Sequence, residues 1–323
     1  STLMMLHIVN QAFMVEVPFR GGSVSEGIVG VPRFINPVLA GGDADKDMVA
    51  LIYSGLMRKT TDGQLIEDLA EKYENSEDGL EYTFTLKENI YFHDGEPVTV
   101  DDVVFTINKI KDSVVKSSHK VDWDGVTATK IDERTVKFTL KYPYASFLEN
   151  TTLGIMPAHI WDASPLELNA ANNHPIGSGP YMVKSTKKQS SGIIDRYELK
   201  AFKKFALGEP YIEKINLRFY QNEEDLIKGL NNKEVTSISS ITPINAKALE
   251  EKKYRVESSV LSRVFGLFFN QNQNQLFTEK AVIVAIDSAI DKNKIVEEVL
   301  LGYGVVIDSP IPPNMTKYHS EHK

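Results

Sequence analysis

"HPIGSGPYMVKS", residues 174–185, decides how this chain is read. Gly177 and Gly179 could cradle a phosphate, which would point to a nucleotide enzyme. They could equally let the backbone turn sharply into a strand. The residues that follow favour the turn. Tyr181 and Val183 alternate with polar neighbours as a strand does, with no helix N-terminus to receive a phosphate. Pro180 also removes one of the amides that a phosphate nest would use. No Gly-x-Gly-x-x-Gly and no Gly-x-x-x-x-Gly-Lys-[Ser/Thr] occurs in the chain. Ser178 lacks the Gly-x-Ser-x-Gly frame and the strand-to-helix turn of a hydrolase nucleophile.

Working outward, the sequence alternates irregularly between helix and strand patterns. Upstream, "LEYTFTLK" (80–87) and "KIDERTVKFTLKYP" (130–143) carry period-two apolar residues, so Leu80, Tyr82, Phe84 and Leu86, and Val136, Phe138 and Leu140, are expected to form the apolar faces of half-buried strands. "ENIYFHDGEPV" (88–98) reads as a second strand with an Asp-Gly turn. "TVDDVVFTINKIKD" (99–112) reads as a helix capped by Thr99 with Asp102 three residues on, burying Val103, Ile107 and Ile110. "MVALIYSGLMRKT" (48–60) reads as a helix beginning near Asp45–Asp47, where acidic residues suit the helix start. "PLELNAANNH" (165–174) is expected to be a surface connection. Downstream come strands at "RYELKAF" and "IEKINLRFY" and helices at "NEEDLIKGLNN" and "ITPINAKALEE". A nearly continuous apolar strand is expected at "RVFGLFFN" (263–270), then one or two helices closed by Gly302. The pattern is α/β, or mixed α+β, without internal repeats.

Length and composition set limits. At 323 residues the chain exceeds one ordinary core and suggests two domains. A net charge of −8 argues against a nucleic-acid or anionic-membrane binder. With no cysteine there is no disulfide, Cys nucleophile or Cys-ligated metal. No apolar run reaches the length of a membrane span, and the opening "STLMMLHIVNQAFMVEVP" lacks the basic region of an intact signal peptide. A chain beginning at Ser1 is expected to be a processed or engineered product, with any export signal or lipid anchor upstream.

The candidate chemical groups have plainer explanations. Asp101 and Asp102 point about 100° apart on a helix and do not converge on one atom, so they read as helix-start acids. His93–Asp94 is followed by Gly95 and reads as a hairpin turn rather than a relay. His319 and His322 have metal spacing but no third ligand. "NQNQNQ" (270–275) is either a polar platform at a cleft or an exposed loop, with Asn270 abutting the expected buried strand. No catalytic residue, metal site or cofactor follows from any of these.

Four ordered stretches together resemble the family 5 extracellular solute-binding proteins, the peptide and nickel receptors of ABC transporters. They are "LIYSGLMRKTTDGQLIEDLAEKYE" (51–74), "YTFTLKENIYFHDGEPVTVDDVVFTINKI" (82–110), "HPIGSGPYMVKS" (174–185) and "AIDKNKIVEEVLLGYGVVIDSPIPP" (289–313). The resemblance implies a type II periplasmic-binding-protein-like, two-lobed clamp with an inserted subdomain. It places 1–62 and 175–269 in the lobe 1 core, 63–174 in the inserted subdomain and 270–323 at the start of an incomplete lobe 2. The 174–185 stretch becomes the point where the chain re-enters the lobe 1 sheet. Ligand contacts carried over are Gly42, Asp43 and Ala44, then Ser239 and Ser240, then Phe265 and Asn270. The implied role is non-enzymatic: extracytoplasmic capture of an oligopeptide or similar small solute and delivery to an ABC permease. Any membrane association would run through an upstream anchor or the permease. Because the family pattern continues past Lys323, the chain is expected to be a fragment or a naturally shortened protein, and in peptide-binding members the acidic partner of the ligand's amino terminus comes from the further half. The alternative is a truncated scaffold or sensor that acts through protein–protein contacts.

Overall fold

The computed structural model describes residues 18–144, 146–259 and 264–307. The opening stretch to Val17, the tail from Asp308 with His319 and His322, and Arg263 at the head of the expected "RVFGLFFN" strand lie outside the described residues. Contacts divide the chain into two units: residues up to Lys59 with Leu65–Ser239, and Thr60–Gln64 with Ser240 onward.

The first unit begins with β1 (Gly21–Val29) and α1 (Asp43–Ile52). A short hairpin, β2 (Met57–Lys59) with β3 (Leu65–Glu67), leads into β4 (Ala70–Asn75) and β5 (Glu81–Leu86). Then come α2 (Val100–Lys111), β6 (Val126–Lys130), β7 (Thr135–Leu140), and two single-turn helices, α3 (Phe147–Asn150) and α4 (Ala158–Trp161). The chain returns through β8 (Tyr181–Lys188), β9 (Ile194–Ala201), β10 (Ile212–Tyr220), α5 (Glu223–Asn231) and β11 (Ser237–Ile238).

Two larger sheets result. One is antiparallel in the order β4-β5-β7-β6; the other runs β11-β1-β10-β9-β8. In the second, β1 is parallel to both β10 and β11, whereas β9 is antiparallel to β10 and to β8.

The local expectations for the antiparallel sheet hold because its signals are local. Tyr82, Phe84, Leu86, Val136, Phe138 and Leu140 are all buried, whereas Leu80, just before β5, is half-buried. Thr99 Oγ1 accepts from the Asp102 amide at 3.3 Å, and the Asp102 carboxylate accepts from the Thr99 amide at 2.9 Å. Each satisfies an amide that the first turn of α2 would leave open. Val103, Ile107 and Ile110 then face inward. Trp123 and Phe147 complete an aromatic cluster with Phe84 and Phe138, whose ring centroids lie 5.6–5.7 Å from those of its three neighbours. Truncating Phe138 to alanine opens a cavity in this cluster and is expected to cost about 3–5 kcal/mol. Urea unfolding followed by tryptophan fluorescence reads it directly, because Trp123 touches the vacated ring.

Four expectations are corrected. The helix expected through 48–60 ends at Ile52, and Met57–Lys59 instead pairs as a strand with Leu65–Glu67. "PLELNAANNH" is a surface connection only in part: Pro165, Glu167, Leu168, Ala170 and His174 are exposed, but Leu166, Asn169, Ala171 and Asn172 are buried, and the Asn36 side-chain amide donates to Asn172 Oδ1 at 2.7 Å. Polar residues made the segment look external, yet its asparagines serve as internal hydrogen-bond partners. The second strand expected in 88–98 shrinks to one bridge, Tyr91 with Pro97, around the turn at Gly95 (φ 97°). Finally, residues 264–270 form no strand, and Phe265 and Phe268 are 85% and 90% exposed. An apolar segment becomes a strand only when a neighbour takes up its backbone N–H and C=O groups, and no described strand pairs with this one.

The second unit holds α6 (Pro243–Glu251), with Pro243 at the first helical position after Thr242, and α7 (Lys280–Ala289). It ends in α8 (Lys292–Lys294) and a π-turn at Ile295–Val299, closed by Gly302 at φ 87°. No residue of α7 is buried.

Candidate functional site

The opening glycines serve close packing. Gly179 N–H donates to the Ile52 carbonyl at 2.8 Å, where α1 ends. A Cβ on Gly179 would sit 2.6 Å from the Ile52 carbonyl carbon and 2.7 Å from the Tyr53 nitrogen, and one on Gly177 would collide with the Ile52 oxygen. Neither glycine has the positive φ of a tight turn. The expected tight turn is therefore a crossing of two backbones, a second use of glycine. Ser178 is buried between them, so its hydroxyl is not presented to a substrate. Asp94 engages His159 at 2.8 Å, while His93 turns to the crossing, so the two form no catalytic relay.

The residues carried over as ligand contacts fall in both units. Gly42, Asp43, Ala44 and Ser239 belong to the first; Ser240, Phe265 and Asn270 belong to the second. Within the first unit, topology relates the two groups. Because β1 and β11 are parallel neighbours, both end at the same edge of their sheet. The segment leaving β1 leads to Gly42–Ala44, and the one leaving β11 begins at Ser239. That edge, beyond the carboxyl ends of parallel strands, is where open α/β sheets commonly bind ligands.

Asp45, missed in the sequence, shapes the first of these segments. Its Oδ1 accepts the Arg33 and Phe34 amides at 2.6 and 2.9 Å, and its Oδ2 accepts the Gly42 amide at 3.2 Å. One buried carboxylate thus closes the 33–42 loop on itself and holds Gly42 extended (φ −81°, ψ 160°) before the helix. The sequence showed only an acid in the first turn of a helix. Gly42 and Asp43 are exposed, whereas Ala44 is buried.

Burial pushes the Asp47 carboxyl above the usual carboxylate range, and Glu26 on β1 and Asp43 on α1 push it further. Glu26, Asp43 and Asp47 thus lie close together, with the exposed Lys46 beside them on α1.

Ser240 is held at φ 57°, a left-handed conformation uncommon for a residue with a side chain. Asn270 is exposed and organises a turn: its carbonyl accepts the Gln273 amide at 3.1 Å and its Oδ1 the Asn272 amide at 3.2 Å. With 265–268 exposed and no residue of 264–270 in a strand, Asn270 abuts no buried strand. Among the described residues no group of three or more His, Asp or Glu side chains could hold a metal ion, and no helix is long and apolar enough to cross a membrane.

Residues 64–323 match the family model described as bacterial extracellular solute-binding proteins, family 5, middle. Protein XP55 of Streptomyces lividans is 28% identical over 297 residues, covering 90% of this chain and 52% of its own length. The oligopeptide-binding protein AppA of Bacillus subtilis is 28% identical over 309 residues, 93% of this chain and 56% of AppA. The structure of AppA in complex with a nonapeptide superposes with a TM-score of 0.73 and 27% identity, covering 95% of this chain and 61% of that one. NikZ of Campylobacter jejuni, in complex with Ni(L-His), gives a TM-score of 0.70 and 27% identity over 89% of this chain and 57% of that one. The chain thus spans little more than half the length of the curated relatives it matches. A family-model match over most of the chain, with the same mixed α/β fold in these neighbours, makes this protein a member of the family 5 bacterial extracellular solute-binding proteins, a family of binding proteins rather than enzymes.

Proposed function

We propose that the chain provides the first ligand-binding wall of an extracytoplasmic receptor that captures oligopeptides and passes them to an ABC permease. The observation that carries this reading is the superposition with peptide-bound AppA over 95% of the chain. In the proposed arrangement, 1–62 and 175–269 form the lobe 1 core, 63–174 the inserted subdomain and 270–323 the start of lobe 2. Gly42, Asp43 and Ala44 offer main-chain groups and one carboxylate. Ser239 and Ser240 offer hydroxyls, Phe265 an apolar ring and Asn270 an amide. An extended peptide presents main-chain donors and acceptors throughout, so such groups bind it with little regard to its side chains. The exposed Asp43 carboxylate at the start of α1 can pair with a cationic group of the ligand.

Native mass spectrometry after exposure to a mixed peptide library, with Ni(L-His) as the competing solute, tests the reading. A peptide-sized mass shift is expected, and Asp43→Ala is expected to weaken it about fivefold, roughly 1 kcal/mol. Retention of the nickel complex in preference to every peptide would reassign the solute. Binding of neither would end the capture reading.

The exposed run Phe265, Leu267 and Phe268 favours a second reading, a scaffold or sensor acting through protein contacts. Light scattering across a concentration series separates the two, because that reading requires association without any small solute.

A further inference from the structure

The crossing of Gly177–Gly179 over Ile52 and Tyr53 is held by one side chain of the 91–97 hairpin. His93 Nε2 lies 3.0 Å from the Gly179 carbonyl oxygen, and the Gly177 amide donates to His93 Nδ1 at 3.3 Å. The backbone amide of His93 also donates to the Gly177 carbonyl at 2.8 Å, and the Phe202 ring meets the imidazole edge-on at 4.8 Å. A ring that donates from Nε2 and accepts at Nδ1 is the neutral imidazole in a single tautomer. A second proton can go only onto Nδ1, where the Gly177 N–H already points. Protonation therefore sets two donors head to head and charges a largely enclosed ring. We propose that His93 is a pH-sensitive latch between the 91–97 hairpin and the 177–179 crossing, closed by the neutral ring and opened by the imidazolium.

The surrounding groups fix the direction. Asp94, beside His93 in the hairpin, favours the charged ring, but its carboxylate is engaged by His159 of α4 at 2.8 Å. Lys204, in the segment after β9, lies 4.1 Å from the centre of the Tyr91 ring. Tyr53, beneath the crossing, is a buried phenol whose pKa burial raises, so it carries no charge in this range. Residues 177–179 contribute no charge. Burial outweighs Asp94 and lowers the His93 pKa from 6.5 to about 4. Between those values the open ring binds a proton that the closed ring does not. Closure is therefore complete near neutrality and weakens as pH falls through that window. Opening in acid thus belongs to His93. This device is independent of which solute the receptor carries.

Amide hydrogen exchange of Gly177 and Gly179, corrected for intrinsic rates, tests the proposal between pH 7 and pH 4.5. The opening constant is expected to rise roughly 50-fold over that interval in the native chain. In His93→Gln, which cannot titrate, protection is expected to be low and independent of pH, while His159→Gln keeps the native slope. A native slope equal to that of His93→Gln would overturn the latch. Nitrogen-15 NMR titration of the native chain provides a readout that needs no variant. It is expected to show an Nε2–H tautomer with a pKa well below 6, and a value near 6.5 would overturn the latch as well.

Discussion

Gly179→Ala is expected to destabilise the first unit by about 3 kcal/mol, and Gly177→Ala by at least as much. At either position the new methyl group meets backbone atoms of Ile52 and Tyr53 rather than the flexible end of a side chain. Backbone at the end of a packed helix cannot rotate away. Relief requires lifting the crossing off α1, which breaks the 2.8 Å bond from Gly179 N–H to the Ile52 carbonyl and adds about 1 kcal/mol to the steric cost. Gly41→Ala is the control, because its added Cβ would find nothing closer than 3.8 Å and its φ is not positive. That variant is expected to stay within about 0.5 kcal/mol of the native chain, as surface substitutions do. Urea unfolding monitored through Trp123 and Trp161 measures all three. Equal midpoints for Gly179→Ala and Gly41→Ala would show that the crossing tolerates a side chain and that the close packing has been misread.

Asp45→Ala is expected to cost about 2–3 kcal/mol, because three main-chain donors lose one acceptor together: Arg33, Phe34 and Gly42. Arg33 is exposed, so water replaces part of what its amide loses and the three losses do not add in full. Asp45→Asn keeps one acceptor oxygen and is expected to fall about midway. The change should also be local. Hydrogen exchange at Arg33, Phe34 and Gly42 should accelerate, while amides in β5 and β7 keep their protection relative to global unfolding. If the loss of stability came without faster exchange in the 33–42 loop, Asp45 would be acting through the core rather than through the loop. The same variant bears on ligand capture, since this loop presents Gly42 and Asp43.

How much of this was legible beforehand depends on how far apart the interacting groups lie in the chain. The capping box of Thr99 and Asp102 was readable because both partners fall within one helical turn. The strands at Glu81–Leu86 and Thr135–Leu140 were readable because each alternates apolar and polar residues within its own few positions. The start of α1 was readable only in part. Acids near Asp45 marked a helix start, but nothing nearby showed that Asp45 reaches back to Arg33 and Phe34. The ordered stretches at 51–74, 82–110 and 174–185 were enough to point to the family, since order and spacing survive without knowledge of contacts.

The sequence alone settled the α/β class, the elements whose signals are local, and the family likeness that those elements carry in order. The tertiary structure decided what the conspicuous residues are for. Gly177 and Gly179 are glycines because the backbone at Ile52 and Tyr53 passes within a methyl group's reach of them. His93 is a polar clasp on that crossing because folding brings Gly177 and Gly179 to its two ring nitrogens. Asn172 is interior because Asn36 meets it there, and Asn169 because its amide reaches the Ile160 carbonyl. Phe265, Leu267 and Phe268 are apolar yet remain exposed and outside any described strand. Helix caps and strand periodicity are properties of neighbouring residues, whereas close approach, burial and hydrogen-bond partnership depend on residues far apart in the chain, and these are fixed only when it packs.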